Sequence, residues 1–188
     1  MRPSEGAEAS AVVWSVWLRL AVTTPEATRS PRALLAVLRR AVDSLPTRSG
    51  MLQTLVAEWM ATTLPASTVR ELTPAIIALP ATPLATYEAL LAAVTATHAA
   101  PPSTAGTGAT LTPSTAAEER RQVRLLFETA AREYGAEAVR LWLSYSRWYT
   151  LRGEVAEASA VHARALKNLK PELHQDFVEA ATTSTSGI

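Results

Sequence analysis

Three histidines, His98, His162 and His174, are the first places to look for metal ligation or proton transfer in this 188-residue chain. Metal capture on a helix wants two ligands at i and i+4 with a carboxylate beside them, and none of the three has that company. Ser144 and Ser146 supply hydroxyls, but no sharp glycine-framed turn presents either as a nucleophile. Gly106-Thr107-Gly108 lacks the lysine of a phosphate loop. The carboxylates are scattered over helix faces, so spacing assembles no acid/base pair. The chain has no cysteine, which excludes disulfides and thiolate metal sites. Two basic clusters remain, Arg29/Arg32/Arg39/Arg40 and Arg120/Arg121/Arg124. Either could touch phosphate, but such groups read first as solvated faces or helix-bridging ions. No catalytic, cofactor-binding or metal-binding residue is therefore assigned, and the chain is expected to be no enzyme and to need no cofactor.

The elements that would position these residues are helices. Apolar residues make up 48 % of the chain, enough to build a core, while the net charge of +1 argues against a dominant electrostatic footprint for nucleic acid. Val123, Leu126, Phe127, Ala130, Ala131 and Tyr134 recur at helical period, and so do Ala138, Leu141, Trp142, Tyr145, Trp148 and Tyr149. Gly135 and Gly153 follow these stripes as expected left-handed caps. Glycine and proline punctuate the rest. Helices are predicted over about Glu8–Val22, Pro31–Ser44, Met51–Thr63, Ser67–Leu79 and Pro83–His98, the fourth with Ser67 as cap and a kink or late start at Pro74. Further helices are predicted from Ser114 or Thr115, over Glu154–Leu169, and from Pro171. Residues 99–117, rich in Pro, Gly, Ser and Thr, read as a flexible linker. The expected organisation is N-terminal helical repeats over 1–98, the linker over 99–117, C-terminal repeats over 118–182 and a tail over 183–188. The apolar run Ala11–Leu18 is too short to span a bilayer, and Glu5 and Glu8 argue against a secretory signal. A soluble intracellular chain with no membrane contact is expected.

A period sets the helices in order. Leu126-Phe127-Glu128-Thr129-Ala130-Ala131 and Val161-His162-Ala163-Arg164-Ala165-Leu166 are two versions of one motif, with Ala130 and Ala165 separated by 35 residues. That interval marks stacked helix pairs, so the expected fold is all-α, a solenoid of eight or nine helices paired antiparallel. Trp142 and Tyr145 would fill the wedge between pairs. Glu128 and Arg164 would bridge adjacent helices, since a lone charge there is costly.

The motif resembles the half-a-tetratricopeptide (HAT) repeat of RNA-processing proteins. Helix A of that family carries Trp-x-x-Tyr or Trp-x-x-Trp, matched by Trp142 and Tyr145. Helix B carries an aliphatic residue, an aromatic, Glu, Arg, Ala and Leu, matched by Phe127 and Glu128 in one copy and by Arg164, Ala165 and Leu166 in the next. Thr129 departs from the usual Arg, and His162-Ala163 from aromatic-Glu. Trp14-x-x-Trp17 with Val37-Leu38-Arg39-Arg40-Ala41-Val42 looks like a third copy, with Arg39 in place of Glu. Over about Gln122 to Ile188, including Phe177-Val178 in the last helix, the chain is most similar to the HAT subunit family of the UTP-B subcomplex of the small-subunit processome. That resemblance implies a scaffold for ribosome biogenesis in the nucleolus of the nucleus. It would hold other protein subunits, chiefly WD-repeat propeller proteins, during rRNA processing, with RNA contact secondary. The alternatives are a HAT scaffold of mRNA splicing or 3′-end cleavage, and a module that binds RNA directly.

Overall fold

The computed structural model describes residues 13, 14, 16, 17, 20, 30–44, 50–95 and 113–185. Among these the secondary structure is helical and contains no strand. The helices are α1 (Pro31–Ser44), α2 (Gly50–Thr63), α3 (Ala66–Ile77), α4 (Leu84–Thr95), α5 (Pro113–Tyr134), α6 (Val139–Thr150), α7 (Val155–Asn168) and α8 (His174–Thr185), with a 3₁₀ turn at Pro171–Leu173. The chain divides into two compact units, Met1–Glu119 and Arg120–Ile188.

In the first unit α2 packs mainly against α4, α3 packs on both, and α1 touches α2 and α3. Leu34, Leu38, Ala41 and Val42 of α1 are buried at i, i+4, i+7 and i+8, the stripe that an amphipathic helix turns inward. The core continues through Leu52, Val56 and Met60 of α2, Val69, Leu72 and Ile76 of α3, and Tyr87, Leu90 and Val94 of α4. Two polar contacts lie among these apolar groups, where a hydrogen bond offsets the cost of burial: the Thr54 and Thr86 hydroxyls meet at 3.1 Å, and Gln53 Nε2 donates to the Pro80 carbonyl at 3.0 Å. A Cβ at Gly50 would lie 2.8 Å from the Pro83 ring, so only glycine lets α2 begin that close to the turn before α4.

Several local expectations shift. Helix α3 starts after Pro65, which occupies the cap position that Ser67 was expected to fill, and it runs through Pro74 without ending. Proline removes one backbone donor there; Thr73 meanwhile bonds the Val69 carbonyl with its hydroxyl at 2.8 Å. Of the expected linker 99–117, residues 99–112 lie outside the described residues, and from Pro113 the chain is already helical, ahead of the expected Ser114 or Thr115 cap. Proline's fixed φ suits a first helical position. At the far end α8 continues to Thr185, into the expected tail; the Thr182 and Thr183 hydroxyls bond carbonyls of the preceding turn and so remain compatible with the helix. Trp17 of the N-terminal Trp-x-x-Trp is 45 % exposed, unlike the buried wedge expected of a helix A.

In the second unit α6 packs along α7 and also meets α8. Gly153 has φ +75°. The Glu154 N–H bonds the Tyr149 carbonyl at 3.1 Å and the Gly153 N–H bonds the Thr150 carbonyl at 2.9 Å. Those two bonds close α6 as a glycine-capped turn of the kind the sequence suggested. Gly135 differs: its φ is not positive. Its smallness answers a close approach, because a Cβ would lie 2.2 Å from the Ala131 carbonyl oxygen and 3.1 Å from the Trp142 ring. No helix among the described residues is long and apolar enough to cross a membrane.

Candidate functional site

Polar and aromatic groups come together in the second unit, where α5, α6 and α7 contribute Glu128, Tyr145 and Arg164. The helical stripe of α6 buries Leu141, Trp142, Tyr145, Trp148 and Tyr149. Phe127 of α5 stacks on Tyr145 with ring centroids 4.5 Å apart and planes 7° from parallel. Tyr145 in turn stacks on Tyr149 at 5.3 Å, and Trp148 meets Tyr149 edge-on at 4.8 Å. Offset stacking and edge contacts are the geometries that the ring quadrupole favours. The Trp142 indole N–H donates to the Gly135 carbonyl at 2.8 Å, which ties α6 to the turn after α5.

At the rim of this aromatic layer Arg164 grips Glu128 with both guanidinium nitrogens. Nη1 donates to Oε1 at 2.8 Å and Nη2 to Oε2 at 2.7 Å. The Tyr145 hydroxyl donates to the same Oε1 at 2.7 Å. Fork-to-fork pairing of this type is the strong form of an ion pair. The guanidinium also lies 5.7 Å from the centre of the Trp142 ring, within the range of a cation–π contact. The hydrogen bonds from Arg164 hold the Glu128 carboxyl down from 4.5 to about 2; partial burial opposes this, and the Tyr145 bond adds to it. Burial, followed by the bond to Glu128, pushes the Tyr145 hydroxyl well above its ordinary value. Arg164 is raised first by its bonds to Glu128. A carboxylate saturated by three donors and held ionised is a poor proton acceptor, and the phenol is held protonated. The constellation is a clamp between helices rather than acid/base machinery.

The 35-residue period carries this layer forward. It maps Val123, Leu126 and Ala130 onto Ala158, Val161 and Ala165, and all six are buried. Trp142 falls on Phe177, again buried in both places. Phe127 falls on His162, whose ring lies 4.8 Å from Phe177, in the aromatic contact its position requires.

The remaining candidates find structural duties or none. His174 faces the Leu169 carbonyl at 3.0 Å, and His98 and Gly106-Thr107-Gly108 lie outside the described residues. Ser146 bonds the Ala158 carbonyl at 3.4 Å, while Ser144 is exposed on α6. No group of three metal-ligating side chains occurs among the described residues. The basic clusters include helix-bridging ions: Arg32 pairs with Glu71 and Arg120 with Glu154, while Arg124 sits in the field of Glu128. Arg152 reaches Glu154 at 3.2 Å and lies 5.2 Å from the centre of the Trp148 ring. Lys170 pairs with Glu137, and its backbone N–H bonds the Ala136 carbonyl at 2.9 Å.

The sequence reading overlooked Arg140 and Arg147, which are exposed on α6 and carry no ion pair among the described residues. The signal was present: residues 138–153 contain three arginines and no carboxylate. Comparison with protein-family models, curated proteins and solved structures finds no match to this chain.

Proposed function

We propose that this chain is a non-enzymatic scaffold whose second unit is a HAT-type stack of antiparallel helix pairs, part of an α-solenoid that binds other proteins. The clamp supports the reading most directly. Glu128 of one expected helix B, Tyr145 of the intervening helix A and Arg164 of the next helix B meet at hydrogen-bond distance. A stack needs this, because a helix pair cannot bury both its faces alone and must be pinned to the next. The matched burial of Val123, Leu126 and Ala130 with Ala158, Val161 and Ala165 supports the same period. Extended stacks act by presenting surface, which accords with a clamp whose carboxylate and phenol are both held out of proton transfer.

The resemblance at the level of motifs extends the proposal to a UTP-B-type subunit of the small-subunit processome. It would work in the nucleolus on pre-rRNA, with WD-repeat propeller proteins as neighbours. Affinity purification of the tagged chain, with identification of the proteins that accompany it, tests this. Processome subunits, together with a stalled rRNA precursor on depletion, are the expected result. Splicing or 3′-end cleavage factors, with normal rRNA maturation, would remove the processome assignment in favour of an mRNA-processing scaffold. A chain that purifies alone would refute the scaffold itself.

A further inference from the structure

Most of the cations near the clamp are engaged. Arg120 and Arg152 hold Glu154, Arg164 holds Glu128, Lys170 holds Glu137, and Arg124 faces Glu128. Helix α6 is different. It carries Arg140 and Arg147 and no carboxylate, and both side chains are exposed without an ion-pair or hydrogen-bond partner among the described residues. Seven positions apart, they lie on one face about two turns, roughly 10 Å, from each other. Ser144, also exposed, sits between them, one turn from each at i+4 and i+3. The side away from the buried stripe thus carries a guanidinium, a hydroxyl and a guanidinium, all hydrogen-bond donors, with the half-buried Leu143 beside them.

We propose that this face of α6 contacts the phosphodiester backbone of RNA. Guanidinium groups match phosphate oxygens in fork geometry, and hydroxyls are common companions in phosphate contacts. The aromatic residues of α6 are turned into the core and leave no ring on this face to stack a base. The contact is therefore with backbone alone and carries no base preference. The two exposed guanidinium groups have no carboxylate on their own helix, so their charge is left for an anionic partner. An acidic protein surface is the competing occupant, and its lack of counterion release separates it from RNA. The inference deepens the scaffold reading by stating how the scaffold meets RNA, and it rests on that reading for its setting.

The test uses the full chain and a fluorescent 20-nucleotide oligouridylate, with binding followed by anisotropy as salt is raised. Each phosphate contact to a single strand contributes about 0.7 to the salt slope, so two contribute about 1.4. Between 50 and 200 mM salt the wild type should lose about sevenfold more affinity than the Arg140→Gln/Arg147→Gln variant. The Arg140→Lys/Arg147→Lys variant should recover the wild-type slope, and oligoadenylate should bind as oligouridylate does. Circular dichroism on the glutamine variant checks that its helices are retained. An unchanged slope in that variant overturns the proposal, as does binding of a poly-glutamate peptide with none of the oligonucleotide. Either failure leaves the set of co-purifying proteins, and hence the scaffold reading, standing on its own test.

Discussion

Replacing Arg164 by alanine should expose how much of the stack depends on the clamp. The substitution leaves the Glu128 carboxylate with Tyr145 as its only remaining clamp donor. Side-chain exposures of 45 % for Arg164 and 28 % for Glu128 place the pair between the surface and buried limits. Exposed pairs contribute about 0.2–1 kcal/mol, while breaking a buried pair costs about 3–5 kcal/mol. The fall of the Glu128 pKa from 4.5 to about 2 would correspond to about 3 kcal/mol in a shielded site; solvent screening reduces that to about 1–2 kcal/mol. Loss of the guanidinium beside Trp142 adds about 0.5 kcal/mol, so Arg164→Ala should cost about 2 kcal/mol at pH 7. The pH dependence follows from the direction of the shift. A carboxyl held below its unfolded value stabilises the fold fully above about pH 4.5, and that contribution is lost as pH falls from there toward 2. Denaturant titrations followed by circular dichroism at pH 7, 5 and 3 measure both quantities. The wild type should lose more stability than the variant between pH 5 and 3. A cost below about 0.5 kcal/mol at pH 7, or parallel loss in both proteins on acidification, would show that the pair is a solvated contact and refute the clamp.

Trp142→Ala should cost about 3–5 kcal/mol, because the indole is 1 % exposed and its N–H holds the Gly135 carbonyl; a loss below about 1 kcal/mol in the same titration would mean an exposed stripe. Gly135→Ala should cost about 1–3 kcal/mol through the clash with the Ala131 carbonyl and the Trp142 ring, and thermal unfolding at unchanged stability would refute the close approach. Ala81→Gly should stabilise by about 0.5–1 kcal/mol, because Ala81 holds φ 52°, where glycine escapes a strain of about 1–2 kcal/mol and returns part of it as unfolded-state entropy; a lower melting temperature would count against strain at this turn.

Helix identity and the buried stripe of α6 were legible from spacing alone. The reason is local: a 3.6-residue repeat of apolar groups selects one helix face wherever the helix goes. The position of the glycine cap at Gly153 was legible too, because only glycine accepts that backbone without cost. The 35-residue interval from Ala130 to Ala165 was readable as self-similarity, and it pointed to Glu128 and Arg164 as bridging ions. Other features needed the helices in place. Gly135 is small because an indole seven residues later folds back over it, an approach between two segments that no local pattern encodes. Thr183 stays helical beyond the expected start of the tail, and its hydroxyl turns back onto its own helix. The basic groups divide in the same way. Arg120 and Arg124, which in sequence read as a solvated face or as helix-bridging ions, face carboxylates in the structure. Arg140 and Arg147 attracted no notice and face solvent without a partner among the described residues. Composition counts charges, but which carboxylate lies within reach of which guanidinium depends on how helices far apart in sequence come to lie beside one another, and only the tertiary structure decides that.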